Sequence, residues 1–228
     1  MNASSLRLAS FNLSCLHNRQ KAMLSKAITR EKLNIINIQE THWSNENQEE
    51  VRRLRNFIYP CKVFCSFNNG TDNYGGVCTI IRGTKYKYLN FEELIQGRLT
   101  NLKMEIDREV YNIVNWYGAQ KPGRVFEQIF QEATKIVESA VLHNERVYIL
   151  GDLNMTTNTS IRQRLNKKDK RLRDWIDQFK LYDITPNLIG PSFRQYNNTR
   201  VYQQSRPDHI ISTHNQYLNA WDINLRVQ

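Results

Sequence analysis

The chain has 228 residues, 40% hydrophobic and 24% charged, enough for one large domain with a substantial core and in the range of soluble globular proteins. No apolar run approaches a membrane span, and the opening "MNASSLRLASFNLS" lacks the long apolar segment of a signal peptide. A net charge of +10 favours a polyanionic partner, because Lys and Arg gain by displacing counterions from phosphates; an anionic membrane surface competes, but no long amphipathic basic helix supports it.

The elements follow in chain order. Residues 6–13 read as a first strand closing on Asn12, and residues 19–33 as a helix with Ala22, Met23, Ala27, Ile28 and Leu33 at helical spacing. "LNIINIQE" is a buried strand ending in Gln39 and Glu40. "NNGTDNYGG" is dense in turn formers and precedes the strand "VCTIIRG". "RLTNLKMEID" alternates like a half-solvated strand, with "EVYNIVNWYG" as its hairpin partner. Residues 124–142 form an amphipathic helix, "RVYILGDLN" a core strand, and "DKRLRDWIDQFKLYDI" a helix with Leu172, Trp175, Ile176 and Phe179 on one face. The end, from "RPDHIIS" to "WDINLRVQ", reads as two strands and a loop. Hairpins among mixed strands and helices argue against a purely parallel sheet, and no repeat or linker divides the chain.

Several strands end on polar groups: Asn12, Glu40, Tyr117, and Asp152 with Asn154, while Asp208 opens a late strand. One such end means little, and Asp152 to Asn154 alone fits a strand-stopping turn equally well. A set of them suggests one sheet rim collecting oxygen ligands, an amide and a phenol. That set suits Mg²⁺, which takes few carboxylates and leaves places for water and phosphate oxygens. Beside a basic surface it points to phosphate ester chemistry. Cys61 and Cys65 lack the second Cys or His pair of a zinc site, so the cysteines read as free thiols of an intracellular protein. His209 should face away from its neighbour Asp208 and reads as structural; His42 and His143 read as surface. Residues 161–173 carry seven basic side chains and one acid, either a solvated helix start or a phosphate-contacting segment in which Lys167, Lys168, Lys170 and Arg171 touch DNA.

"LRLASFNLSCL", "INIQETHW", "NIVNWYG", "VYILGDLN" and "SRPDHIIS" occur in an order that resembles the endonuclease/exonuclease/phosphatase superfamily, and most of all the apurinic-type endonuclease domain of non-LTR (LINE-like) retrotransposons. The resemblance runs from Leu6 to Ser212 and implies a four-layer α/β sandwich, two mixed sheets face to face with helices outside. It implies that Glu40 holds Mg²⁺ (Mn²⁺ as the alternative) with Asn12 nearby, that Asp152 takes the proton from, or orients, the attacking water, and that Asn154 positions that water or a phosphate oxygen. Tyr117 would face the scissile phosphate, Asp208 would orient a histidine, Ser192 stands where the family commonly has Thr, and Arg194 could touch DNA backbone. The implied activity is Mg²⁺-dependent nicking of nuclear DNA, leaving a 3′-hydroxyl for a reverse transcriptase carried on the same polyprotein. Alternatives are an apurinic-site repair nuclease, an RNA deadenylase, a lipid-headgroup phosphodiesterase, and a catalytically dead nucleic-acid-binding module. The family usually ends in a Ser-Asp-His motif beyond the position of Asp208, and the sequence to Gln228 shows none. The expectation is therefore one domain that binds DNA and nicks it poorly unless the chain continues, the missing strand adding at least about a hundredfold.

Overall fold

The structure, a computed structural model, describes residues 6–13, 17–68, 75–83, 86–157, 165–184 and 208–214, and the backbone of 193–197 and 200–205. Strand β1 (Leu8–Asn12) leads through α1 (Asn18–Arg30) to β2 (Ile35–Gln39). Next come α2 (Gln48–Phe57), β3 (Cys61–Ser66), β4 (Val77–Arg82), β5 (Tyr86–Ile95), β6 (Leu99–Ile106) and β7 (Glu109–Trp116). Helix α3 (Arg124–Leu142) returns the chain to β8 (Arg146–Asp152), followed by α4 (Lys167–Gln178) and β9 (Tyr182–Asp183). A hairpin of β10 (Phe193–Asn197) and β11 (Arg200–Ser205) precedes β12 (Asp208–Ser212).

The strands form a four-stranded sheet ordered β1-β2-β4-β3 and a six-stranded sheet ordered β5-β6-β7-β8-β12-β9. Both are mixed: β1 and β2, and β7 and β8, run parallel, each pair joined by a helix, and the other ladders are antiparallel. A parallel pair needs such a crossover, and the helix it carries must cover one sheet face. Leu24, Ile28 and Leu54 of α1 and α2 accordingly pack on Phe11, Ile36, Ile38 and Ile80. Phe126, Phe130 and Val137 of α3 and Trp175 of α4 pack on Val114, Trp116 and Ile149. Ile35 and Ile81 of the first sheet meet Leu102, Ile113 and Leu150 of the second. The result is the expected four-layer sandwich.

Toward the strand ends that carry Glu40 and Asp152, the space between the sheets turns polar. Asn37, Gln39, Thr79 and Asn115 are all 0% exposed. Asn37 Nδ2 donates to Val114 O (3.0 Å) and Leu150 O (3.3 Å), while Asn37 Oδ1 accepts from Thr79 Oγ1 (2.9 Å). Gln39 Nε2 donates to Asn115 Oδ1 (2.7 Å), and Asn115 Nδ2 donates to Cys78 O (3.1 Å). Buried amides are tolerated when so satisfied, and these tie the two sheets in one alignment.

The helix over 124–142 and the strands β4, β6, β7 and β8 stand where the sequence places them. Helix α4 starts two residues earlier than "DKRLRDWIDQFKLYDI", because Asn166 and Asp169 form a reciprocal capping box. It stops at Gln178, and the left-handed backbone of Lys180 (φ 50) turns the chain into β9. Elements α2, β3, β5, β10 and β11 have no counterpart in the sequence reading. The strand expected at "WDINLRVQ" lies outside the described residues.

Candidate active site

Five of the expected residues converge at one rim. Asn12 is the last residue of β1, Glu40 follows β2, Tyr117 follows β7, Asp152 ends β8, and Asp208 opens β12 directly across from Asp152 in the antiparallel ladder. Asn12 Nδ2 donates to Glu40 Oε1 (3.1 Å) and to Asp152 Oδ2 (2.7 Å), bridging carboxylates carried by different sheets. Tyr117 OH donates to Glu40 Oε1 (2.7 Å). The backbone N–H of Asn154 donates to Asp152 Oδ1 (2.9 Å), and its side chain donates to Gly118 O (2.9 Å). Glu40 (φ 55) and Asn154 (φ 53) are both left-handed. Asn adopts that region readily, whereas for Glu it is uncommon and costs strain of a kind that collects at functional sites.

Two glycines let these strand ends approach. A Cβ on Gly118 would lie 2.0 Å from Leu153 O, and one on Gly151 would lie 1.8 Å from Trp116 O. The gap is closed by Gly118 N–H donating to Asp152 O (2.7 Å).

The carboxylates crowd one another. Burial first, then the charges of Asp208 and Glu40, push the Asp152 carboxyl up to about 7, against the bonds from Asn12 and Asn154 that favour its ionised form. Burial, and behind it the bond to Glu40, raise the Tyr117 phenol well above its ordinary range, so it stays a neutral donor. Among the described residues no three Asp, Glu, His or Cys side chains converge to enclose a cation. Mg²⁺ does not require such a cage: one or two carboxylates, an amide oxygen, waters and substrate phosphate suffice. Glu40 with Asn12, beside a second carboxylate raised by burial and then by like charge, fits that habit.

Other expectations change in detail. Tyr117 is 0% exposed, and its hydroxyl donates to Glu40. Lys168 is buried, and its ammonium donates to Ala119 O (3.0 Å), Gln120 O (2.9 Å) and Asn154 O (3.0 Å). It is an internal strut, not a DNA-facing cation, because its ammonium is held among those carbonyls inside the protein. Lys167 and Lys170 are exposed as expected; Arg171 is exposed too, its guanidinium 5.5 Å from the Phe130 ring. Ser192 and the side chain of Arg194 lie outside the described residues. His209 faces away from the rim: Nδ1 bonds Asp183 Oδ2 (2.9 Å) and Nε2 bonds Met155 O (2.9 Å). Burial alone would depress its pKa, but the Asp183 carboxylate and the bond to Met155 O raise it.

Two neighbours of the site are not marked by the sequence reading. His42, on the surface as expected, nevertheless holds Nε2 3.8 Å from Glu40 Oε2; its place two residues after Glu40 in "QETHW" is the available signal. It also lines a cavity with His17, Arg19, Trp43 and Arg53. The Arg98 guanidinium lies 4.8 Å from the Tyr117 ring, and Tyr117 N–H donates to Arg98 O (2.7 Å). Nothing in the local sequence marks Arg98 beyond its position after Gly97.

The four-layer sandwich thus gathers a carboxylate and amide cluster at the rim shared by its two sheets. The chain belongs to the Endonuclease/Exonuclease/phosphatase family, whose sequence model matches residues 9–221. No curated protein sequence matched it. Among solved structures, the endonuclease domain of TRAS1, a telomere-specific non-LTR retrotransposon, is similar with a TM-score of 0.68 at 17% identity, over 91% of this chain and 84% of that one. A mannosyl-6-phosphatase of Bacteroides thetaiotaomicron gives 0.68 at 13% identity over 91% and 85%. An AP endonuclease from Archaeoglobus fulgidus gives 0.62 at 17% identity over 92% and 87%. At such identities the likeness establishes the fold.

Proposed function

We propose that this protein is a Mg²⁺-dependent DNA endonuclease of retroelement type, nicking one strand to leave a 3′-hydroxyl that a reverse transcriptase extends in the nucleus. The observation that carries the reading is the Asn12 amide bridging Glu40 and Asp152 at a rim of a +10 chain. Glu40 and Asn12 would hold the ion, which would polarise a phosphoryl oxygen and offset charge building on the phosphate. Asp152, raised to about 7, is poised to accept the proton of an attacking water near neutral pH. Asn154 fixes the Asp152 carboxylate through its backbone N–H, and Tyr117 keeps Glu40 in one orientation. The charge supports a DNA substrate over a sugar phosphate.

The test is supercoiled plasmid incubated with Mg²⁺ or EDTA, beside a duplex carrying one abasic site. Mg²⁺-dependent conversion to the open circle, with ends that a polymerase extends, is the expected result. Cleavage confined to the abasic duplex would assign an apurinic-site nuclease instead. DNA binding without cleavage, in this chain and in any longer protein that contains it, would leave a binding module.

Binding should also weaken with salt. Neutralising Lys167, Lys170 and Arg171 together is expected to lower the slope of log K against log salt by about 0.9 for every phosphate deprived of its cation. Titration by fluorescence anisotropy at several salt concentrations reads it, and an unchanged slope would make this turn a solvated face.

A further inference from the structure

We propose that Lys168 is a positioning residue that sets the geometry of the catalytic loops from inside the protein. This rests on the reading of Asp152, Asn154 and Tyr117 as catalytic machinery. The first turn of α4 presents two buried side chains, Lys168 and Asp169, to the two loops that leave β7 and β8. An ammonium has three donors, and here three backbone carbonyls accept them: Ala119 and Gln120 from the loop after β7, and Asn154 from the loop after β8. Asp169, 0% exposed, does the complementary work, accepting from Thr156 N (3.0 Å) through Oδ1 while its other oxygen closes the cap on Asn166 N (3.0 Å). One turn of helix thus grips the β8 loop by a carbonyl and an amide and ties it to the β7 loop.

The consequence reaches the rim through bonds already described. Asn154 is held by its carbonyl from Lys168. Its own amide reaches Gly118 O, its N–H orients the Asp152 carboxylate, and Gly118 N–H returns to Asp152 O. Both loops carry site residues, one Tyr117 and the other Asn154, which lies just after Asp152 at the end of β8. Lys168 links them without standing at the rim. Its loss would let the loops separate while leaving the carboxylates and the exposed cations in place. A displacement of about 1 Å at reacting groups is enough to cost on the order of a hundredfold in rate.

The experiment compares Lys168→Met, which keeps the stem and removes the donors, with Lys168→Arg and the unsubstituted protein. Steady-state nicking of a fluorescent DNA duplex with Mg²⁺ gives kcat and KM, and residue-resolved amide hydrogen exchange gives the loop geometry independently of activity. Lys168→Met is expected to lower kcat by about 10- to 100-fold, with KM and the salt slope of binding nearly unchanged. Exchange at Gly118 and Asn154 should quicken by about tenfold or more, while amides of β6 keep their protection. Lys168→Arg, charged but planar and without the tripod of donors, should fall between. If Lys168→Met does not fold, the same readouts on Lys168→Arg decide. Unchanged exchange at Gly118 and Asn154 in a folded variant would overturn the proposal, as would a higher KM with a reduced salt slope, the signature of a phosphate contact. If neither the unsubstituted protein nor a longer protein that contains it nicks DNA, the proposed activity fails, and the exchange result alone still judges the clamp.

Discussion

Glu40→Ala and Asp152→Ala are each expected to lower metal-dependent nicking by about 10³-fold or more while leaving the fold intact. Losses of that order follow when one member of a catalytic group acting as a unit is removed. Glu40 accepts from both Asn12 and Tyr117, so its removal takes away the carboxylate proposed to hold the ion and strips a buried phenol of its acceptor. Asp152 accepts from Asn12 and from the Asn154 backbone, and its removal takes away the proposed proton acceptor. Asp152→Asn is the sharper control: it keeps the shape and an acceptor oxygen but cannot take up a proton, and should be nearly as inactive as alanine. Because the two act together, the double variant should be little worse than the poorer single one. Plasmid nicking with matched circular dichroism reads the result. Near-normal rates in either folded variant would remove that residue from the chemistry.

Gly151→Ala is expected to be among the most destabilising single substitutions in the chain, costing more than about 4 kcal/mol, in the range reserved for a specific backbone conflict. The added methyl would stand 1.8 Å from Trp116 O, a backbone atom of the adjacent parallel strand that has no flexible end to swing away. Either β7 and β8 separate, breaking the Gly118–Asp152 hydrogen bond, or β8 shifts against β12, where Gly151 faces His209. Both routes disturb the strand ends that carry Tyr117 and Asp152. Urea unfolding monitored by tryptophan fluorescence measures the loss. A midpoint close to that of the unsubstituted protein would mean that the two strand ends do not approach this closely.

The legible part of the protein is the part whose local pattern and burial agree. Helix α3 is legible to its ends because Phe126, Ile129, Phe130, Ala133, Ile136, Val137 and Ala140 keep helical spacing on one buried face. That Asn12, Glu40, Tyr117 and Asp152 lie at one rim is legible because each ends or follows an apolar run, so the strand end and the polar group mark the same position; Asp208 opens its strand instead. Helix α2 is not, since only Leu54 of its ten residues is buried and the charges hide the face. Edge strand β5 is largely exposed and bulged, so no alternation survives in its sequence. The burial of Lys168 is hidden because charge density in 161–173 says nothing of direction; the capping box at Asn166 does, and only once the helix start is known. Asn37 and Asn115 look like ordinary strand residues in the sequence, because satisfaction of a buried amide depends on a partner sheet, 77 residues away in the chain for the bond from Asn37 to Val114.

Those amides have a consequence for how the site can go wrong. Apolar faces packed together resist separation but care little about sliding. A side-chain amide bonded to a particular carbonyl has its next acceptor along a strand only at a whole residue step, about 3.3 Å or more away. Asn37 and Asn115 therefore make the alignment of the two sheets discrete. The contacts that span them at the rim, Asn12 to Asp152 and Tyr117 to Glu40, inherit that discreteness. A slipped molecule would not carry a slightly loosened site. It would carry none, with buried amides left without acceptors, and it would be removed by unfolding rather than persist as a slow enzyme.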